Sequence, residues 1–190
     1  MTNFEGFRCT DCGTVVTEEG ATRCPDCAGT LDAKYDLGSI DISPETIANR
    51  SGGWKHAELL PFVPEGIGEG ATPLVDAPRL AEELGVERVL IKNEAHNPTG
   101  TVTDRGLALV AEAATRGGAD TLALPTTGDG GQSAAAYAAR AGLLSRSFVP
   151  SRATFINKAM INVHGGDMRV VEGRFDDART TYEEDRESMP

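Results

Sequence analysis

The chain has no cysteine beyond residue 27, few lysines, three histidines and no long apolar run in its 190 residues. No stretch approaches the roughly 20 apolar residues of a membrane helix, so a membrane-spanning helix is excluded. Residues 1–9 contain Glu5 and Arg8 and no apolar run. No secretory leader is therefore expected, and a cytoplasmic location follows. Lys34, Lys55, Lys92 and Lys158 are the only lysines, and acids outnumber bases by 29 to 18. A net charge of −11 disfavours non-specific attraction to nucleic acid or anionic membrane. An acidic, lysine-poor composition also suits a salty cytoplasm, where ions screen self-repulsion; an acidic mesophilic protein reads the same way. Hydrophobic residues make up 39%, too many for a disordered chain. Glycine is abundant, 22 residues, without the Gly-X-Y period of collagen. It points to tight turns and close backbone approaches.

The four cysteines form two Cys-x-x-Cys pairs, Cys9/Cys12 and Cys24/Cys27, eleven residues apart. Each pair can curl around an ion, and two such knuckles supply four thiolates at tetrahedral positions. Disulfides would require export, and a redox motif would need only one pair beside a βαβ unit. The expected module is a zinc ribbon over residues 1–32, its folding energy supplied by the metal. Gly13 and Gly29 are expected to provide turns with φ > 0. The ribbon has two bases, Arg8 and Arg23, against six acids. It offers no stripe for phosphates, and a nucleic-acid role fares poorly.

Residues 33–75 read as a connector. Ser43-Pro44-Glu45 is a helix start, with Ser43 as cap, and Ser51-Gly52-Gly53 is its expected end. Trp54, Leu59, Leu60 and Phe62 are the apolar anchors. Residues 76–190 alternate strands and helices, which implies an α/β domain with a parallel sheet in three layers. Asp76 is expected to cap a helix bearing Leu80 and Leu84. Val89-Leu90-Ile91 reads as a buried strand. Further strands are expected at 121–124, 147–149 and 168–171, with helices at 104–116, 132–141 and 175–187. The stripe Ile156/Ala159/Met160/Val163 marks another helix, expected to be buried by the block itself.

In such sheets ligands gather where strand ends meet helix starts. Two turns qualify: residues 93–106, and the glycine-rich turn Pro125–Ser133. The backbone of Thr127, Gly128, Asp129 and Gly130 could cradle a small anion, or form only a tight connection. His56, His96 and His164 are the only histidines; His96 lies in the first turn, where it could face a ligand or simply be solvated. The run Glu183-Glu184-Asp185 reads as a solvated face.

Gly68-Glu69-Gly70-Ala71-Thr72-Pro73-Leu74, Asn97-Pro98-Thr99-Gly100, Asp104-Arg105-Gly106 and the turn before Gln132-Ser133 together resemble the threonine synthase family. The resemblance runs from about residue 54 to 178. It implies a tryptophan-synthase-β-like fold, whose N-terminal half faces pyridoxal phosphate, and some members carry a cysteine ribbon. Thr103 stands where the family has its Schiff-base lysine, and a hydroxyl forms no Schiff base. Lys92 is no substitute, since the family commonly has a lysine there too. Asp129 replaces an asparagine that donates to the cofactor; ionised aspartate only accepts. The family also continues into a second α/β half.

The resulting expectation is a lyase-family protein with impaired chemistry, binding zinc, and pyridoxal phosphate weakly or not at all. The rivals are an active pyridoxal-phosphate enzyme completed by a second chain, and a ribbon that acts as an interaction module. Uncovered apolar surface around the connector anchors implies a homodimer or a partner subunit.

Overall fold

The computed structural model describes residues 3–18 and 20–186. The ribbon is an antiparallel sheet in the order β2-β1-β3, formed by β1 (Phe4–Cys9), β2 (Val15–Val16) and β3 (Leu31–Tyr35). Phe4 meets Phe7 and Tyr35 edge-on at 5.1 and 5.8 Å, giving the small sheet its own apolar face. β3 carries the ribbon across the residue-32 boundary expected from sequence. Gly13 has the expected positive φ of 80°, but in the second knuckle Ala28 takes it, at 56°. Gly29 is needed for space instead: a Cβ there would lie 2.9 Å from the Cys9 sulfur.

In the connector the Ser43 side chain accepts from Thr46 N at 3.0 Å. This caps α1 (Pro44–Ala48), which ends before the Ser-Gly-Gly run. Trp54 and Phe62 are not left uncovered. Trp54 packs on a core of Ala108, Ala111, Leu122, Tyr137 and Ala138. The Arg116 guanidinium sits 4.7 Å above the Phe62 ring.

β4 (Leu74–Asp76) and β5 (Leu90–Lys92) depart most from the sequence reading. They form their own antiparallel ladder, and every residue in both strands is exposed. The run at 89–91 is therefore no buried strand of the parallel sheet. Asp76 ends β4 and pairs with Arg88 at 3.1 Å instead of capping a helix. α2 (Pro78–Leu84) starts from Ala77 with proline in its first turn and stops at Gly85, φ 66°.

The main body follows as α3 (Thr103–Arg116), β6 (Thr121–Pro125), α4 (Asp129–Ala141), β7 (Leu144–Pro150), α5 (Phe155–Val163), β8 (Asp167–Val171) and α6 (Phe175–Asp185). β6, β7 and β8 are parallel and adjacent in sequence order. Alternation along β7 builds three layers. Ser147 faces α4, its Oγ 2.8 Å from where a Gly131 Cβ would sit. Phe148 faces the other way and meets Tyr182 of α6 at 5.7 Å. The α5 stripe is not buried as expected: Ile161 is the buried residue, while Ile156 and Val163 are 60% and 71% exposed. The expected end of α6 at Glu187 lies outside the described residues. Among the described residues no helix is long and apolar enough to cross a membrane.

Candidate functional site

The four cysteines converge. Their sulfurs all lie within 4.8 Å of one another. The close pairs join opposite knuckles, Cys9 with Cys27 and Cys12 with Cys24, each at 3.5 Å. A tetrahedral zinc with Zn–S near 2.3 Å separates its sulfurs by about 3.8 Å, so this spacing fits one ion. All four are free thiols, not disulfides. The Thr14 hydroxyl, beside Cys12, lowers its thiol to about 6. That favours the thiolate a metal requires at Cys12 alone, since burial raises the Cys24 thiol and, against the Gly29 amide, the neighbouring thiols push Cys27 up to about 12.

The second cluster lies where α3 and α4 begin. Thr103 is the first residue of α3. Its hydroxyl donates to Thr101 Oγ1 at 3.1 Å, and the Thr101 hydroxyl donates to Asp129 Oδ2 at 3.4 Å. The chain of donors ends on the carboxylate, as it must when Asp129 only accepts. Three of the four lysines are bonded to other groups. Lys92 Nζ donates to the Thr72 carbonyl, Lys158 Nζ to the Ser151 carbonyl at 2.9 Å, and Lys34 pairs with Glu5 at 2.7 Å.

The glycine-rich turn is partly helix: α4 begins at Asp129, not at residue 132. Thr126 Oγ1 accepts from Gly128 N at 3.0 Å and from Gly131 N at 3.1 Å. This hydroxyl fastens the turn to the strand end and satisfies a helix-start amide. Gly128 has φ 131°, and a Cβ there would collide with Asn157. Asn157 Nδ2 in turn donates to the Thr127 carbonyl at 3.3 Å. Asp129 contributes negative charge to the first turn of the helix, where the dipole favours it. Thr127, Gly128, Asp129 and Gly130 therefore form one compact turn, linked to Thr101 through Asp129.

Buried polar groups lock these loops. Asp104, fully buried, accepts from Thr99 N at 2.8 Å, Thr99 Oγ1 at 2.6 Å and Ser133 Oγ at 2.5 Å. Gln132 Nε2 donates to the Thr99 carbonyl at 2.7 Å. Arg105 grips Glu94 with two bonds, Nε to Oε2 at 2.8 Å and Nη2 to Oε1 at 2.9 Å. The Arg105 guanidinium, then the Thr72 hydroxyl, holds the Glu94 carboxyl down at about 2. Asn97 Oδ1 accepts from Gly70 N at 2.9 Å. Glu69 accepts from Trp54 Nε1 at 2.8 Å, Ile67 N at 2.9 Å and the Tyr137 hydroxyl at 2.7 Å. The motif residues thus meet as one bonded scaffold.

Sequence reading located the cysteines, Thr103 and the turn at 127–130. It missed Thr101, the Thr126 cap and Asn157. A threonine two residues before the helix start, or directly after a strand, was the available signal. His96 is exposed and outside these bonds. His164 Nε2 is buried without a hydrogen-bond partner, away from the cluster.

The model of the pyridoxal-phosphate dependent enzyme family matches residues 66–189. Threonine synthase of Methanosarcina acetivorans is 36% identical over 177 residues, 90% of this chain and 44% of its own length. The threonine synthase of Methanocaldococcus jannaschii is 33% identical over 179 residues, with the same shares. The chain thus spans less than half the length of these relatives. Among solved structures, O-ureido-L-serine synthase aligns at TM-score 0.58 and 27% identity, over 63% of this chain and 38% of its own. Apo diaminopropionate ammonia lyase of Escherichia coli aligns at TM-score 0.57 and 20% identity, over 64% and 39%; at that identity it speaks to the fold alone. The matched span and the parallel sheet agree: the chain belongs to the pyridoxal-phosphate dependent enzyme family and is threonine synthase-like within it.

Proposed function

We propose that this chain is a threonine-synthase-like protein whose Schiff-base chemistry is impaired, with a structural zinc ion on its ribbon. The observation that carries the reading is Thr103, at the first turn of α3, its hydroxyl committed to Thr101. When bound, pyridoxal phosphate supplies an electron sink, and its covalent attachment needs an amine. The residues at this site do not fit that attachment. Thr103 is a hydroxyl, Lys92 is spent on the Thr72 carbonyl, and Asp129 adds negative charge beside the turn. The remaining capacity is non-covalent: the amides of the turn at 127–130 toward a small anion, opposed by the Asp129 carboxylate.

The rival, an active enzyme completed by a second chain, draws on the length comparison. It requires that chain to supply the amine. Titration with pyridoxal phosphate, followed by absorption, tests the first reading, and repeating it with a second chain added tests the rival. The spectrum of free cofactor should persist with this chain alone; a shifted Schiff-base band would contradict the reading. For the ribbon, metal analysis of purified protein should find one zinc per chain. Absent metal together with cysteine bridges would contradict it.

A further inference from the structure

A cavity of about 370 Å³ sits where the three parallel strands begin, at the opposite end of the sheet from the Thr103 cluster. Thr121 opens β6, Leu144 and Ser145 open β7, and Asp167 opens β8; all four line it. Thr126 and the turn at 127–130 instead follow the end of β6. Five strand residues at about 3.3 Å each put the two places roughly 16 Å apart. Ala135 and Ala139 of α4, with Leu143 and Leu144, give the cavity apolar walls. Among the described residues three buried side-chain atoms have no hydrogen-bond partner: Ser145 Oγ, Ser147 Oγ and His164 Nε2. Ser147 packs against Gly131, but Ser145 and His164 both line this cavity. Ser145 is 7% exposed, and alternation along β7 turns it, like Ser147, toward α4. His164 is held by the turn that ends α5. Its N–H donates to the Met160 carbonyl at 3.1 Å, and Gly166 N donates to the Ile161 carbonyl at 3.0 Å. A Cβ on Gly166 would lie 2.8 Å from Ala135 Cβ, so the turn is seated against α4.

We propose that this cavity binds a small neutral molecule with an apolar body and a single hydroxyl, which exchanges hydrogen bonds with Ser145 Oγ and His164 Nε2. Three observations select that chemistry. Native structures leave few buried polar atoms unbonded, and two at one cavity call for a shared partner. A hydroxyl both donates and accepts, so it serves the serine and the imidazole whichever ring nitrogen carries the proton. The alanine and leucine walls suit an apolar body, and the volume is at the low end for ligand sites, the size for one aromatic ring. Charge at the rim is already balanced: Arg146 pairs with Asp167 at 3.0 Å, both side chains well exposed. Neither is left over for a charged ligand. α4 runs from Asp129, beside Thr101, past Ala139 at the cavity, so the two sites share one helix. The proposal goes beyond the reading of the Thr103 cluster and stands whichever way that reading is decided.

The probes are phenol, benzene and benzoate, added at pH 7 to the 190-residue chain and followed by amide chemical shifts. Phenol should move amides centred on Thr121, Ser145 and His164. It should bind at least tenfold more tightly than benzene, which leaves both polar atoms unpaired. Benzoate should not move them. Ser145→Ala and His164→Phe should each bring phenol to within threefold of benzene. Ala139→Phe, from an exposed helix position, should exclude both by filling the cavity. Without any probe, Ser145→Ala should melt no lower than the unaltered chain, because it removes a hydroxyl that has no partner. A lower melt would show that the hydroxyl is already bonded within the chain, and overturns the proposal. Equal binding of phenol and benzene, or shifts confined to other regions, overturns it in favour of solvent alone in the cavity. Tighter binding of benzoate than of phenol overturns it in favour of an anion site at Arg146.

Discussion

Glu69 is a carboxylate at 3% exposure, and three donors make its burial tolerable: Trp54, the Ile67 amide and Tyr137. Burial, then the Glu69 contact, pushes the Tyr137 hydroxyl well above its ordinary range, so it stays protonated and keeps donating. Tyr137→Phe preserves the ring and removes one donor. It should cost about 1–3 kcal/mol in denaturant unfolding; no measurable loss would mean that Glu69 is served by its other donors alone. Glu94 gives a pH dependence. Its folded value of about 2 lies below the ordinary 4.5. Its contribution to stability is full above 4.5 and is lost as pH falls through 2. Thermal melts should therefore show a loss of stability across that window, and Arg105→Lys, which cannot make the two-bond grip, should shrink it. The cysteines and Thr103 were legible in the sequence because their meaning lies in local spacing or motif position. The Thr101–Asp129 contact was not, because it joins loops 28 residues apart.

At the scale of elements, the alternation of strands and helices after residue 118 was read in the right order, with β7 and α4 each starting three residues earlier than expected. Those segments are bounded by glycines that stop helices, such as Gly142 at φ 74°. The run at 89–91 misled because three consecutive apolar residues look alike whether they enter a buried sheet or await another surface. The glycine-rich turn was misread for a related reason. Its glycines read as loop, yet Gly131 is helical and has close neighbours. A Cβ there would lie 2.8 Å from Ile161 Cδ1, Ser147 Oγ and Thr126 Cγ2. Gly131→Ala should thus cost about 1–3 kcal/mol by overpacking, despite alanine's better helix propensity. A stabilised variant would show that α4 can lift off the sheet without loss.

The whole molecule joins a four-cysteine ribbon, a closed three-layer body and a ladder left open. The body and ribbon were visible from composition and spacing. The open ladder was not, since sequence periodicity reports an apolar face but not what covers it. The proposed function takes the Thr101–Thr103–Asp129 cluster to stand where a lysine-bound cofactor would otherwise be attached, and the account depends on what happens there. The direct measurement is peptide mapping after the chain is mixed with pyridoxal phosphate and reduced with borohydride, with Thr103→Lys treated in parallel. The account predicts no stoichiometric label on any lysine of the unaltered chain. A stoichiometric label on Lys92 would contradict it.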